Sequence, residues 1–495
     1  MAAQPIPGPT SVDPGLRRLA LRTLLAAFAG PTPPEWALTL LDDGLAGHTL
    51  FGRNVTDADQ LAGLTATLRD RRRDVLLTID EEGGDVTRLA HRTGSPYPGN
   101  AALGAVDDVE LTHAVYAAIG AELATAGVNL DFAPTVDVNT ADDNPIIGTR
   151  SFGADPARVS RHAAAAIAGL QGSGVAACAK HFPGHGATVS DSHLELPTVD
   201  APAAVLRERD LPPFVAAVAA GTRAVMTAHI RVPALTGDEP ATFSRAVLTD
   251  LLRGEYGFDG VIVTDALEMA GATAAAGGIA PAAVRSLAAG ADLLCIGADV
   301  DSALVEAVAA EIVSAVRDGR LPLSRVEEAA FRVAGLASFG ALPSGGAPAT
   351  DGRLGYAAAR RAVRVEGSLA GLRNPLLIHL ESGHSIAEGR VPWGLTPHVN
   401  GTDQVTVIAA EATPAALAAR AGQRPIVVVG RHTHRSAAAR ALIEGLAADH
   451  PVAVVEMGWP SRWRPTGARA FVTTYGASHA NGRAAAEVLG LATPD

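Results

Sequence analysis

The sequence predicts an α/β protein: a TIM-like (β/α) barrel followed by a smaller, open α/β sandwich domain. Three observations predict it. Short apolar runs alternate with Ala-rich helical stretches over residues 1–339. A Gly/Pro/Ala/Ser segment, GALPSGGAPATDG, interrupts the pattern at 340–352. The alternation then resumes over 353–495. Strand alternating with helix implies a parallel sheet, and 495 residues exceed one ordinary core.

The expected barrel strands are GHTLF (47–51), VLLTI (75–79), LDFAP (130–134), VAACA (175–179), AVMTA (224–228), VIVT (261–264) and LLCIG (293–297). An eighth is expected near 19–28. Stretches such as PARVSRHAAAAIAGLQ separate them, with apolar residues at helical spacing and few breakers. ELATAGVNLDFAPTVDV reads as a helix, a stop at Gly127, and a strand bearing Asp131 and Asp137, to which no chemistry is assigned. The segment 340–352 reads as a linker. Beyond it PLLIHL, VTVIAA, PIVVVG, VAVVEM and AFVTTY predict a second parallel sheet of unknown role, whose loops could reach the barrel mouth. No P-loop or GxGxxG follows any of its strands. Trp459 and Trp463 fit either sugar stacking or a core.

Composition narrows the partners. A formal net charge of −12 argues against nucleic acid and acidic membrane surfaces. No run of about 20 apolar residues is present to insert in a bilayer. The two cysteines, Cys178 and Cys295, lie in apolar runs and read as buried free thiols. LRRLALRTLLAAFAG faintly resembles a secretory signal, but Arg22 breaks its apolar stretch. An opening helix and strand of the barrel is expected there, and a cytoplasmic location.

The chemistry concentrates in KHFPGHGATVSDSH, Lys180 to His193, directly after an apolar strand. A lysine, three histidines and an aspartate gather on one Gly-Pro-Gly-rich loop. Asp191 is placed to orient His193, and an oriented imidazole moves protons near neutral pH. Two other readings are a simple turn and a metal site. Metal spacing for His181 and His185 requires a helix, and Pro183 and Gly184 oppose one. No metal and no cofactor are therefore expected.

KHFPGHG followed by DSH resembles the signature of glycoside hydrolase family 3, in its β-N-acetylglucosaminidase (NagZ-like) branch. The resemblance spans roughly residues 15 to 340. It implies that His193 is the general acid/base, Asp191 its partner, and Lys180 and His181 ligands of sugar hydroxyls. GVIVTDALEMAGA is similar to the family's nucleophile segment and places Asp265 on the nucleophile, where an N-cap is the plain alternative. The family often has a second Asp after it; this chain has Ala266. LLTIDEEGGDVTRL and NPIIGTRSFG place Asp80, Arg88 and Arg150 on the substrate. A turn role for Asp80 and surface ion pairs for the arginines are the alternatives. AVMTAHI adds His229, as pocket lining or core.

The resemblance implies a retaining exo-β-N-acetylglucosaminidase acting on muropeptides or chitin-derived oligosaccharides. A phosphorylase using inorganic phosphate and a non-catalytic sugar-binding protein are the alternatives. The two glycines between Gly184 and Ser190 are expected to let the loop move, bringing Asp191 and His193 towards Asp265 as sugar binds.

Overall fold

A computed structural model describes residues 13–339, 352–399 and 401–492. Eight short strands form the first sheet: β1 Leu24–Ala26, β2 Gly47–Leu50, β3 Leu76–Ile79, β4 Leu130–Asp131, β5 Ala176–Phe182, β6 Ala224–Thr227, β7 Val261–Thr264 and β8 Leu294–Cys295. All pair in parallel, in the order β7-β6-β5-β4-β3-β2-β1-β8. A parallel bridge between Val263 and Leu293 joins the two ends, so the sheet closes on itself. The eighth strand falls where it was expected, after helix Pro14–Leu21.

The two-residue period of a strand sorts the side chains. Leu76, Ala176, Cys178, Ala224, Met226, Val261 and Val263 share the cluster inside the barrel, with Val333, Leu336 and Ala337 of helix Leu323–Phe339 packed against it. Leu77, Ile79, Ala177, Ala179, Val225 and Ile262 belong to the larger cluster between strands and helices. Both cysteines are buried and free. Among the described residues, no helix is long and apolar enough to cross a membrane.

The second sheet holds β9 Arg364–Gly367, β10 Leu376–Leu380, β11 Gln404–Val407, β12 Ile426–Gly430, β13 Val452–Glu456 and β14 Ala470–Thr473, in the order β11-β10-β12-β13-β14-β9. Five strands are parallel, as expected, but β9 runs antiparallel to β14 at the edge. The sheet is mixed, which corrects the expectation of a parallel one. The expected linker lies outside the described residues, apart from Gly352, which opens helix Gly352–Ala362.

The second domain meets the barrel through polar contacts from loops that follow its strands. After β12, Arg431 pairs with Asp85 at 3.6 Å, and Arg435 donates to the carbonyls of Asp142 and Asn144. After β14, Ala477 N–H donates to Asp85 Oδ1 at 2.8 Å. After β10, the carbonyls of Ala387 and Glu388 accept from Arg88. The loops so held are those that follow β3 and β4, at the C-terminal face of the barrel.

Candidate active site

The strand period that fills the barrel also aims the site. Continuing the inward-facing positions Leu76, Cys178 and Val263 brings Asp80, Lys180 and Asp265 to the C-terminal ends of β3, β5 and β7, where barrel loops build pockets. All three line one cavity, with Arg88, Arg150, His181 and His193. The register of β5 against β6 shifts between Ala179 and Phe182, and two consecutive side chains, Lys180 and His181, face the same space. Phe132, Met226 and Cys295 add apolar surface.

A chain of charges crosses this cavity. Lys180 Nζ lies 2.7 Å from Asp80 Oδ1 and 2.8 Å from Glu82 Oε1. Arg150 grips Glu82 with two bonds, Nε to Oε2 at 3.0 Å and Nη2 to Oε1 at 2.7 Å. Burial disfavours the Glu82 carboxylate, but Arg150 and Lys180 outweigh it and hold its pKa well below the usual range. Burial also opposes the charge on Lys180, yet Asp80 and Glu82 raise its pKa. Each of these ions has its counter-ion in contact, as a buried charge requires.

Arg150 also approaches His181, Nη2 to Nε2 at 3.3 Å. A guanidinium can only donate, so His181 Nε2 accepts. The proton of that ring then sits on Nδ1, which donates to Asp137 Oδ2 at 2.7 Å. Asp137 Oδ1 accepts further bonds from the N–H groups of His181 and His185 at 3.3 and 2.6 Å. Asp137 is fully buried and anchors the start of the loop. Burial disfavours its charge, but the imidazoles of His181 and His185 and the backbone N–H groups lower its pKa.

The loop after β5 is shaped by its glycines. Gly184 has φ +126°, and a Cβ on Gly186 would lie 2.0 Å from the Val138 carbonyl oxygen. His185 bonds Thr188 Oγ1 through Nδ1 and Ser192 Oγ through Nε2, at 2.7 and 3.1 Å. Burial pushes its pKa down to about 4, so it stays neutral near pH 7. With both nitrogens of His181 and His185 already bonded, neither ring has a lone pair left for a metal. Among the described residues, no group of three or more His, Cys, Asp or Glu is arranged to hold one.

The loop then brings in the dyad. His193 Nδ1 lies 2.6 Å from Asp191 Oδ1, and the same oxygen accepts from His193 N–H at 2.9 Å. This carboxylate accepts a hydrogen bond from Nδ1–H and leaves His193 Nε2 as the nitrogen that exchanges protons. Burial raises the Asp191 pKa, but the bonds from His193 outweigh it and the net shift is downward. The carbonyls of Ser192 and His193 accept from Gly271 and Ala270 N–H at 3.3 and 3.4 Å. These two bonds dock the loop against the segment that follows Asp265.

Asp265 accepts from Ala266 N–H at 2.8 Å. Burial opposes its ionisation, but the imidazoles of His229, His181 and His193 and that N–H together lower its pKa. It is ionised at neutral pH. An ionised carboxylate and a carboxylate-oriented imidazole therefore line one cavity. That pair can supply a nucleophile and a proton carrier.

One expected lining residue lies elsewhere. His229 is 0% exposed, does not line the cavity, and bonds Thr242 Oγ1 and the Ala266 carbonyl at 2.8 and 3.1 Å. Ala228 and Ile230 on either side of it belong to the cluster between strands and helices, so the alternation set by Ala224 and Met226 stops at the end of β6, and the two bonds fix the direction of the His229 ring. It braces the Asp265 segment. Trp459 is buried and Trp463 packs into the second domain's core, so neither is a sugar platform. Asp80, Arg88, Arg150, Lys180, His181, His193 and Asp265 come together as expected, with Asp191 behind His193. Glu82 and Asp137 were not anticipated in the site; the only local signal was an acidic residue beside each strand end. Ile386 and Ala387, from the second domain, complete the lining.

Comparison with known proteins identifies the family and the fold. The profile described as Glycosyl hydrolase family 3 N terminal domain matches residues 32–336. The chain is 38% identical over 261 residues to beta-hexosaminidase A of Pseudoalteromonas piscicida, covering 48% of this chain and 44% of that protein. It is 40% identical over 259 residues to beta-hexosaminidase of Chromobacterium violaceum, covering 51% of this chain and 71% of that one. The match thus spans under half of the first relative's length. A solved structure, the glycoside hydrolase family 3 beta-N-acetylglucosaminidase from Paenibacillus sp. str. FPU-7, superposes with TM-score 0.86 at 33% identity over 97% of both chains.

Proposed function

Because the chain belongs to glycosyl hydrolase family 3, we propose that it hydrolyses terminal, non-reducing β-linked N-acetylglucosamine with retention of configuration. The observation that carries this reading is the pairing in one cavity of ionised Asp265 with an imidazole whose Nδ1 is held by Asp191. Asp265 attacks the anomeric carbon, and the glycosidic bond breaks as the covalent ester forms. His193 Nε2 gives its proton to the departing oxygen. The neutral imidazole then takes a proton from water as that water attacks the ester, which restores Asp265 and His193 together. Asp191 stabilises the imidazolium and fixes the tautomer, the part an aspartate plays in a Ser-His-Asp triad.

A retaining glycosidase usually holds two carboxyl groups about 5–5.5 Å apart. Here an imidazole takes the place of one of them. An imidazole can give a proton and then take one back, so one ring serves as acid and then as base. Asp80, Lys180, Arg150 and Arg88 supply both acceptors and donors to sugar hydroxyls, and His181, bonded at both nitrogens, holds Arg150 in place against them.

The test is turnover of a nitrophenyl β-N-acetylglucosaminide, with the anomer of the first product followed by NMR. A β-configured product supports the reading, and an α-configured one or no turnover overturns it. Repeating the assay in phosphate separates hydrolysis from phosphorolysis, since the latter yields a sugar phosphate. Muropeptide and chitin oligosaccharide substrates, assayed side by side, identify the natural source.

A further inference from the structure

The lining of the cavity divides by origin. Among the described residues, every charged group in it comes from the barrel, while the second domain adds Ile386 and Ala387. Exposure divides the same way. Lys180, His181 and Arg150 are 2%, 6% and 6% exposed, whereas Ile386 is 58% exposed. The buried polar groups form the floor, and Ile386 stands at the mouth. An exo-acting site holds its terminal sugar on the floor, so the group on the other side of the cleaved bond lies towards the mouth.

A singly exposed aliphatic side chain is ordinary on a protein surface. Ile386 differs in being held in place. Ser385 and Glu388 cap its turn reciprocally: Ser385 N–H donates to Glu388 Oε2 and Glu388 N–H donates to Ser385 Oγ, both at 3.2 Å. Arg88 Nη2 holds the Ala387 carbonyl at 2.8 Å, and Arg431 holds Glu388 Oε1 at 2.8 Å. The turn is thus pinned on both sides of Ile386, and one of the pins is itself a cavity residue. On the loop that carries His193, the adjoining Leu194 is 71% exposed. The proton donor therefore has an apolar neighbour in sequence as well as an apolar residue at the mouth.

We propose that Ile386 contacts the aglycone and favours leaving groups with an apolar surface next to the glycosidic bond. This rests on the glycosidase reading above and adds to it the chemistry of the leaving group. An aglycone bearing a hydrocarbon or ether-linked alkyl substituent buries that surface against Ile386, whereas a small or fully hydroxylated one gains nothing there.

The test compares kcat/KM of the full-length protein for methyl and n-hexyl β-N-acetylglucosaminide. Both release a primary alcohol, so both make the same demand on the proton donor. Ile386→Ser is expected to lower the hexyl-to-methyl ratio about tenfold, the scale of discrimination that an apolar contact provides. Ile386→Leu, which keeps the apolar bulk, is expected to restore the ratio to within about twofold of wild type. A ratio that survives Ile386→Ser in an active protein overturns this inference alone. A wild type that turns over neither glycoside overturns the reading of the site itself.

Discussion

Lys180 Nζ and Glu82 Oε1 meet at 2.8 Å with both side chains 2% exposed. Glu82 also balances Arg150, so one carboxylate faces two buried cations. Glu82→Gln leaves that positive charge under-compensated. The expected loss of stability is about 3 kcal/mol, the cost of breaking a buried pair from one side. Urea unfolding measures it. A midpoint equal to wild type would show that the cations do not depend on Glu82.

Asp265→Asn is expected to cut turnover by about 10⁴-fold or more while the fold persists. The side chain stands beyond the end of β7 and fills no part of the hydrophobic core. Circular dichroism and steady-state rates check the two halves of this expectation. A variant with near-normal turnover removes Asp265 from the reaction.

His193→Ala is expected to act differently on the two chemical steps. Substrates with poor leaving groups suffer most, because their departing oxygen needs a proton. An activated nitrophenyl glycoside loses less in the first step, yet the second still lacks its base. Glycosyl-enzyme should therefore accumulate and appear in intact-protein mass spectra. Equal losses for all leaving groups, with no labelled protein, would count against His193.

Glu81 predicts a pH effect of opposite sign to that of Asp265. Burial raises its pKa from 4.5 to about 7, against the opposing bonds from Leu89 and Arg88 N–H. The unfolded chain therefore loses this proton first. The contribution to stability is full below pH 4.5 and falls away as pH rises towards 7. Glu81→Gln imitates the protonated form and removes that fall. Relative to wild type it is expected to gain up to about 3 kcal/mol between pH 4 and pH 8. Denaturant titrations at the two pH values decide it, and an unchanged difference would show that Glu81 titrates normally.

The barrel was legible because its strands are apolar runs, and the strand near 19–28 was found despite being three residues long. β9 was missed for the converse reason. RVEG is exposed at all four positions and carries no apolar signal. The dyad was legible because Asp191 and His193 are neighbours in sequence. Glu82 was not, since its role depends on Arg150, from a turn after β4, and Lys180, from β5, both far from it in sequence. His229 shows a finer gap: being at a strand end locates a residue, but its partners, Thr242 and the Ala266 carbonyl, turn its ring away from the cavity.

The chain Asp80–Lys180–Glu82–Arg150–His181–Asp137 alternates donor and acceptor across segments following β3, β4 and the end of β5. Its dipoles and charges are fixed by one another before any sugar arrives. A sugar hydroxyl entering such a site finds partners that do not have to turn to meet it, so little reorganisation accompanies binding. The cost of assembling that order falls on folding instead. Substitutions along the chain should then move stability and turnover together, which ties the protein's tolerance of change at these positions to its activity.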